Sequence, residues 1–251
     1  NRYCLTPMGE ELIAKSQPVV EGFENIERLV VGKDFLPKGR VKITAPFNLA
    51  NKILPKALRQ FRKQYPDISI DILSSNHEVN LNSRVADIAL RATPNPPEHL
   101  IGRKITDIAW GIFANPQLLK RSGLKNRSKS TDLSFLNGFS LIGASGKMST
   151  LPAFRWLDEH HKDQIKTRAD ELTAMSYLAE EGHGIAFLPM DQQRKELTCI
   201  GEFTPGKSSE LWILMHPALR QTESIRLVVN ALSDSLKENP SFYKHASMKT
   251  L

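Results

Sequence analysis

The chain has 251 residues, 40% of them hydrophobic and 24% charged, with a formal net charge of +7 at pH 7. No apolar run approaches the roughly 20 residues that cross a bilayer, so we expect a soluble protein without a membrane partner. Its two cysteines are too few for a disulfide framework, which favours a reducing, cytoplasmic location. The basic charge would suit DNA or an anionic small molecule, and it does not choose between them.

A long helix is predicted from Thr6 to about Gly32, with Thr6 as the cap and Gly32 as the stop. Pro18 is expected to kink or split this helix. Apolar residues at near-heptad spacing form one narrow stripe on it: Leu12, Val19, Phe23, Ile26 and Val30. Such a stripe predicts pairing with another helix, and packing against the chain's own domain is the alternative.

A strand, a turn and an amphipathic helix follow between residues 41 and 66. Apolar residues alternate from Val41 to Ala45, whereas residues 54–65 carry them at three- and four-residue steps. Further strands are predicted at 68–72 and 87–91, and this β-α-β order implies a parallel sheet. The basic stripe opposite the apolar face of the helix is interpreted as a solvated surface; it comprises Lys52, Lys56, Arg59 and Lys63.

The second half of the chain is predicted to alternate in the same way. Strands are expected at 108–115, 140–143, 185–189 and 211–215, and helices at 117–122, 151–160 and 172–181. A terminal helix is predicted at 222–237, and the polar residues that follow it are expected to be disordered.

Several motifs, in this order, resemble LysR-type transcriptional regulators. The segment 41–66 contains Leu-Pro and Phe-x-x-x-Tyr-Pro, 87–91 reads Asp-Ile-Ala-Leu-Arg, and 182–189 reads Gly-x-Gly-Ile-Ala-x-Leu-Pro. Residues 5–10, Leu-Thr-Pro-Met-Gly-Glu, resemble the end of the winged DNA-binding domain in that family. Because the chain begins at Asn1 without Met, we expect that the helix-turn-helix is largely missing upstream.

The resemblance implies an α/β fold of two Rossmann-like lobes with a cleft between them, similar to type 2 periplasmic-binding proteins, preceded by a long linker helix. The implied domains are a winged-helix remnant at 1–10, a linker and dimerisation helix at 11–38, and an effector-binding domain at 39–251. Within the last, lobe I is expected at 39–105 and 218–240, lobe II at 106–217, and a disordered tail at 241–251. A homodimer or homotetramer would bind operator DNA through the missing domain.

Ligands of open α/β sheets bind at the carboxyl ends of strands, beside helix N-termini that favour anions. We therefore expect a small, anionic effector between the lobes, near these candidates: Ala45, Pro46, Phe47, Asn48, Arg91, Ala144, Ser145, Gly146 and Asp170. Phe47-Asn48 departs from the Ser or Thr that the family often has there, which suggests a larger or more apolar ligand, or a narrowed pocket. Each polar candidate has a structural alternative. Asn48, Ser145 and Asp170 are also plausible helix caps.

Arg91 has an alternative of its own, an ion pair with Asp87 or Glu78. Phosphate contact with DNA is assigned to Arg2 and Thr6 by the resemblance to the wing.

No catalytic constellation stands out. The seven histidines lack zinc-site spacing, and neither a Gly-x-Ser-x-Gly elbow nor a phosphate-binding loop is present in the sequence. We expect neither an enzyme nor a metal or cofactor. The leading alternative is a solute-binding protein of a transport system with the same two-lobed fold, and an α/β enzyme is a second alternative.

Overall fold

The computed structural model describes residues 6, 8–9, 12–13, 15–16, 18–20, 22, 37–76, 85–122, 133–203, 209–237 and 239–242. The strands of this part of the chain are β1 Gly39–Ala45, β2 Ile68–Ser74, β3 Ile88–Ala92, β4 Ile101–Ile108, β5 Trp110–Ala114, β6 Leu141–Ala144, β7 Ile165–Ala169, β8 Ile185–Pro189, β9 Thr198–Glu202 and β10 Ser209–Met215. The α-helices are α1 Leu54–Gln64, α2 Pro116–Ser122, α3 Pro152–His161, α4 Leu172–Glu180 and α5 Glu223–Lys237.

Lobe I is built on a five-stranded sheet in the order β2-β1-β3-β10-β4. β1 pairs in parallel with β2 and β3, as the β-α-β pattern predicts. The alternating residues Val41 and Ile43 are fully buried, and Leu54 on α1 is buried with them. The apolar face of α5 packs into the same core. The strand, helix and parallel pairing predicted for this half are therefore confirmed.

Lobe II is built on a second five-stranded sheet in the order β7-β6-β8-β5-β9. β6 pairs in parallel with β7 and β8, whereas β5 is antiparallel to β8 and β9. One apolar cluster contains Leu157 of α3 and another contains Met175 of α4, and both include residues of the sheet. The predicted α/β fold of two lobes is thus confirmed.

The boundaries between the lobes differ from the prediction. β4 stays in the first sheet until Ile108, and β5 begins the second sheet at Trp110. β10, which the sequence places in lobe II, lies in the first sheet between β3 and β4. Its membership depends on antiparallel pairing with strands more than a hundred residues earlier, and a local pattern cannot contain that information. The second crossing therefore precedes Ser209 instead of following residue 217.

The expected disorder of the tail is wrong at Phe242. This side chain is fully buried in the core of lobe I, and its carbonyl oxygen accepts a hydrogen bond of 3.1 Å from the backbone N–H of Ala109. The chain after α5 thus returns to the core of lobe I at Phe242. Residues 243–251 lie outside the described residues.

The N-terminal helix is described in part, with helical residues between 8 and 22. The Thr6 hydroxyl accepts a 3.2 Å hydrogen bond from the backbone N–H of Gly9, so the predicted cap is confirmed. Leu12 and Val19 are 69% and 58% exposed, so these two residues of the stripe do not pack on the described part of the chain. Arg2, Phe23, Ile26 and Val30 lie outside the described residues. No helix in the described part of the chain is long and apolar enough to span a membrane.

Gly184 is a residue where a side chain would meet the backbone. A Cβ atom there would lie 2.5 Å from the carbonyl oxygen of Ser140, in the chain that leads into β6. We expect Gly184→Ala to lower the free energy of unfolding by about 1 to 3 kcal/mol, because backbone cannot move aside as a flexible side chain can. Thermal denaturation measures this at roughly 2 to 4 °C per kcal/mol.

The matched control is Gly182→Asn. Gly182 ends α4 with φ +80°, no heavy atom lies within 4 Å of its Cβ position, and Asn tolerates this conformation. A loss for Gly182→Asn as large as that for Gly184→Ala would contradict the steric explanation.

Candidate functional site

The first candidate segment joins β1 to the helix that follows it. Ala45 is fully buried at the end of β1, and helical hydrogen bonding begins when the Ala50 N–H donates to the carbonyl of Pro46 at 2.9 Å. A π-helical turn spans Leu49–Ile53 ahead of α1, and such turns are frequent at functional sites. The Phe47 ring is 41% exposed beside it. The N–H of Phe47 donates to Oδ1 of Asn76 at 3.2 Å, so what this junction presents beside the first helical turn is chiefly the exposed Phe47 side chain.

Asn48 is not a helix cap. Its side chain makes no capping hydrogen bond, and its Nδ2 instead donates to Oδ2 of Asp191 at 2.8 Å. Lys52, one turn later, donates from Nζ to the backbone carbonyls of Asp191 and Gln193, both at 2.6 Å. These three hydrogen bonds join the start of the lobe I helix to the segment after β8 of lobe II. The interpretation of Lys52 as part of a solvated face is wrong.

Asp191 is a fully buried carboxylate at the contact between the lobes. Its Oδ2 also accepts a 2.9 Å hydrogen bond from Nε2 of Gln192, while its Oδ1 is buried with no hydrogen-bond partner among the described residues. Burial raises the pKa of Asp191 above its usual range, and it outweighs the hydrogen bonds from Asn48 and Gln192 and the charge of Lys52, which lower that pKa.

Burial likewise lowers the pKa of Lys52, helped by the positive charges of Lys56 and Arg194 and opposed by Asp191. The Lys52 ammonium donates to backbone carbonyls instead of the Asp191 carboxylate. The half-buried Lys52 therefore lies beside the fully buried Asp191 without forming a direct ion pair.

The segment after β8 is itself held in place at both ends. The N–H of Met190 donates to the carbonyl of Ala109 at 2.8 Å, directly at the first crossing between the lobes. Arg194 forms an ion pair with Glu180 of α4 and lies over the ring of Tyr177, 3.8 Å from its centroid. The backbone on both sides of Asp191 is therefore held by contacts with the rest of the chain.

The second candidate segment follows β6 in lobe II. Ala144 is buried, and the N–H of Ser145 donates to the carbonyl of Ala169 at 2.9 Å. Gly146 has φ +56°, and a Cβ there would lie 3.8 Å from Cβ of Asp170. The structure thus brings Ser145, Gly146 and Asp170 together.

The proposed caps of this region are wrong. The Ser145 side chain makes no capping hydrogen bond, whereas the Ser149 hydroxyl donates to the carbonyl of Gly146 at 2.7 Å. Helix α4 is capped by Glu171, whose carboxylate accepts from the N–H of Ala174, and Asp170 remains exposed. Ser145 and Asp170 are consequently not committed to capping.

Arg91 lies near the carboxyl end of β3 and is half-buried. Its guanidinium donates to the hydroxyl of Thr44 and to the carbonyl of Leu90, both at 2.9 Å. Asp87, one of the two partners considered from sequence, accepts a 2.8 Å hydrogen bond from the N–H of Lys42. Arg91 thus places a cation next to β1, the strand that leads to the first junction.

Sequence reasoning missed Asp191 and Lys52. The Leu-Pro pair at the end of β8 was recognised, but an acid two residues later carries no local signal of burial. Met190, Asp191 and Gln192 are all buried. The burial of the Asp191 side chain is known only from the three-dimensional structure. Within the described residues, no group of three or more His, Cys, Asp and Glu side chains could hold a metal ion.

Two α/β lobes joined by two crossings, with a strand-to-helix junction in each, define the class of two-lobed ligand-binding domains. The family model of the LysR substrate binding domain matches residues 36–237. The chain belongs to this family.

Related proteins agree with this assignment. A Xanthomonas campestris protein named HTH-type transcriptional regulator is 30% identical over 122 residues, which is 49% of this chain and 36% of that protein. PgrR of Escherichia coli, also named an HTH-type transcriptional regulator, is 25% identical over 80% of this chain and 69% of its own length. CrgA of Neisseria meningitidis is 23% identical, over 57% of this chain and 50% of its own. The chain thus spans 36% to 69% of the length of these relatives.

Solved structures show the same fold. The regulatory domain of CrgA from Neisseria meningitidis, a LysR-type transcriptional regulator, has a TM-score of 0.66 at 20% identity, covering 80% of this chain and all of that one. Full-length AphB, a virulence activator of Vibrio cholerae, has a TM-score of 0.59 at 22% identity, covering 92% of this chain and 82% of that one.

Asp191→Asn is expected to change how stability depends on pH. Because the pKa of Asp191 is raised in the folded protein, the native chain keeps a proton that the unfolded chain loses above about pH 3.9. The contribution of this group to the free energy of unfolding therefore falls as pH rises from that value through the raised pKa. The melting temperature of the wild type, minus that of Asp191→Asn, should decrease between pH 4 and pH 8.

Glu196→Gln is the control, because Glu196 is an exposed acid on the same segment. An equal decrease for this control, or none for Asp191→Asn, would contradict the role of Asp191 burial.

Proposed function

We propose that this chain is the effector-sensing region of a LysR-type transcriptional regulator, and that it binds a small, anionic molecule between its lobes. The observation that carries the proposal is the contact of Asn48 and Lys52 with the segment around Asp191, because it joins the predicted effector junction of lobe I directly to lobe II. A ligand at residues 45–48 would therefore act where the two lobes meet.

The mechanism that follows is a shift between two arrangements of the lobes. A ligand can move that equilibrium only by its difference in affinity for the two arrangements. The change would pass to a DNA-binding domain, as the names of the curated relatives suggest. Contact of Arg2 and Thr6 with DNA phosphates and a cytoplasmic location are further parts of the proposal.

The alternative of a transport protein is less well supported, since the curated relatives are named as transcriptional regulators. The same names favour a protein that is not an enzyme. We therefore retain effector-dependent regulation of transcription as the single proposed function.

A thermal-shift screen of metabolite carboxylates and aromatic acids tests effector binding. A ligand at about 100 times its dissociation constant stabilises the native state by roughly 2.7 kcal/mol, and for a chain of this size the shift is on the order of 5 to 10 °C. Ser145→Ala should weaken the binding of a hit by roughly three- to tenfold, because one hydrogen bond to the ligand is lost.

Ser149→Ala serves as the matched control, since Ser149 lies in the same turn and its hydroxyl is used within the turn. Absence of any hit would contradict the proposed effector site. Equal effects of the two Ser variants would show that Ser145 does not contact the ligand.

Dimerisation through the N-terminal helix is tested by Leu12→Glu combined with Val19→Glu. Burial of each residue against a partner helix contributes roughly 1.5 to 3 kcal/mol, so the double variant should shift the chain to a monomer in light scattering. Val20→Glu is the control, because Val20 is also exposed but lies about 100° around the helix from Val19. A wild-type chain that is monomeric at every concentration would contradict the proposal.

A further inference from the structure

The two ends of the Asn48 side chain have different surroundings. The nitrogen end, Nδ2, donates to Oδ2 of Asp191 in the other lobe. The oxygen end, Oδ1, accepts no hydrogen bond from the described residues, and it is not among the buried polar atoms that lack a partner. Asn48 keeps 9% of its surface exposed. The amide oxygen is thus the polar atom of Asn48 that remains open to a ligand.

Asp191 determines which way this amide is turned. Its Oδ2 accepts from both Asn48 and Gln192, whereas its Oδ1 has no partner among the described residues, so Oδ2 is an acceptor whether or not Oδ1 carries a proton. A reversed Asn48 amide would therefore place two oxygen atoms against each other. Oδ2 of Asp191 is fixed further by Nε2 of Gln192. The backbone at Asp191 is fixed in turn by Lys52, which donates to its carbonyl from lobe I.

We propose that Asp191 is a positioning residue for effector recognition: it holds the nitrogen end of Asn48 toward lobe II, so that an effector meets the amide oxygen and must offer a hydrogen-bond donor there. This inference rests on the effector site proposed above. The class of effector that follows is a carboxylic acid that also carries a hydroxyl or amino group.

The charges around Asn48 favour the same class. A ligand carboxylate placed at Asn48 would meet the amide oxygen and, behind it, the carboxylate of Asp191. Lys52, whose charge acts on Asp191, donates to backbone carbonyls and is partly desolvated. The anionic group of an effector therefore belongs elsewhere in the cleft. The exposed ring of Phe47, adjacent in sequence, can pack on an apolar part of the effector.

Nuclear magnetic resonance tests the orientation of the amide without any ligand. In protein labelled with ¹⁵N at asparagine side chains, the Asn48 signal is identified by its loss in Asn48→Ser. Exchange of its Nδ2 protons with water should be about tenfold faster in Asp191→Leu, because the hydrogen bond to Oδ2 of Asp191 is lost. Asp191→Asn, which keeps one acceptor oxygen, should restore slow exchange at least in part.

Glu196→Leu is the matched control, because it removes an exposed acid from the same segment and should leave the Asn48 signal unchanged. An Asn48 signal and exchange rate that are the same in wild type and in Asp191→Leu would overturn the proposal. If Asp191→Leu does not fold, a shift of the Asn48 signal in Asp191→Asn, and not in Glu196→Leu, supports it, and an unchanged signal overturns it.

Matched pairs of acids test the required donor. The probes are 4-hydroxybenzoate against 4-methoxybenzoate and lactate against 2-methoxypropanoate, with dissociation constants measured by calorimetry. The wild type should bind the hydroxylated member of at least one pair about tenfold more tightly, since its hydroxyl can donate to Asn48. In Asp191→Leu the amide is free to turn, and this preference should shrink.

Equal binding of both members of each pair by the wild type would overturn the donor requirement, and so would a preference that survives in Asp191→Leu. Absence of binding by all four acids contradicts the effector site for these acids, and the donor requirement with it. The resonance measurement then still decides whether Asp191 orients Asn48, so failure of the inference and failure of the proposed function can be told apart.

Discussion

The chain passes between its two sheets twice, and the arrangement of the cleft depends on these crossings. The first lies at Ala109, between β4 and β5, and the second lies between β9 and β10. Antiparallel pairing of β10 with β4 places both crossings at the same end of the strands of the first sheet, where Ser209 is paired with Ile108. The indole N–H of Trp110 donates to the hydroxyl of Ser209 at 3.3 Å and links the two crossing segments. The carboxyl ends of β1 and β3 lie at this same end of the sheet, so the two crossings and the junction after β1 are on the same side of lobe I.

Patterns confined to a few residues were predictable, because their cause is local. Alternation in β1 and the three- and four-residue spacing of α1 each reflect one buried face, and both elements form as expected. The sheet to which β10 belongs and the return of Phe242 to the core were not predictable, since each depends on partners distant in sequence. Local hydrophobicity identifies a strand or a buried residue without identifying what covers it.

Asn48 illustrates the same limit within the site. A short amide before a helix is equally suited to capping that helix and to reaching another part of the chain. In this structure the Asn48 side chain donates to Asp191, which lies 143 residues later, and it does not cap the helix. Ser145, Gly146 and Asp170 lie together because parallel pairing of β6 with β7 aligns the carboxyl ends of these strands. Proximity within one sheet follows from the local β-α-β pattern, whereas the contact of Asn48 with Asp191 between the lobes does not.

The π-helical turn at Leu49–Ile53 lies between a residue that contacts lobe II, Asn48, and a helix that packs on the sheet of lobe I, α1. A π turn holds one residue more than the α-helical turn it replaces, and each residue changes the direction of a side chain by about 100°. The extra residue therefore changes the direction in which the Asn48 side chain points, relative to the side chains of Leu58 and Phe61, which face the core of lobe I. With α1 kept on its sheet, one residue fewer in the turn would rotate Asn48 by about 100° away from Asp191, and it would also displace the buried residues Leu49, Ala50 and Ile53. The number of residues between the end of β1 and α1 is therefore itself a determinant of how the two lobes are joined.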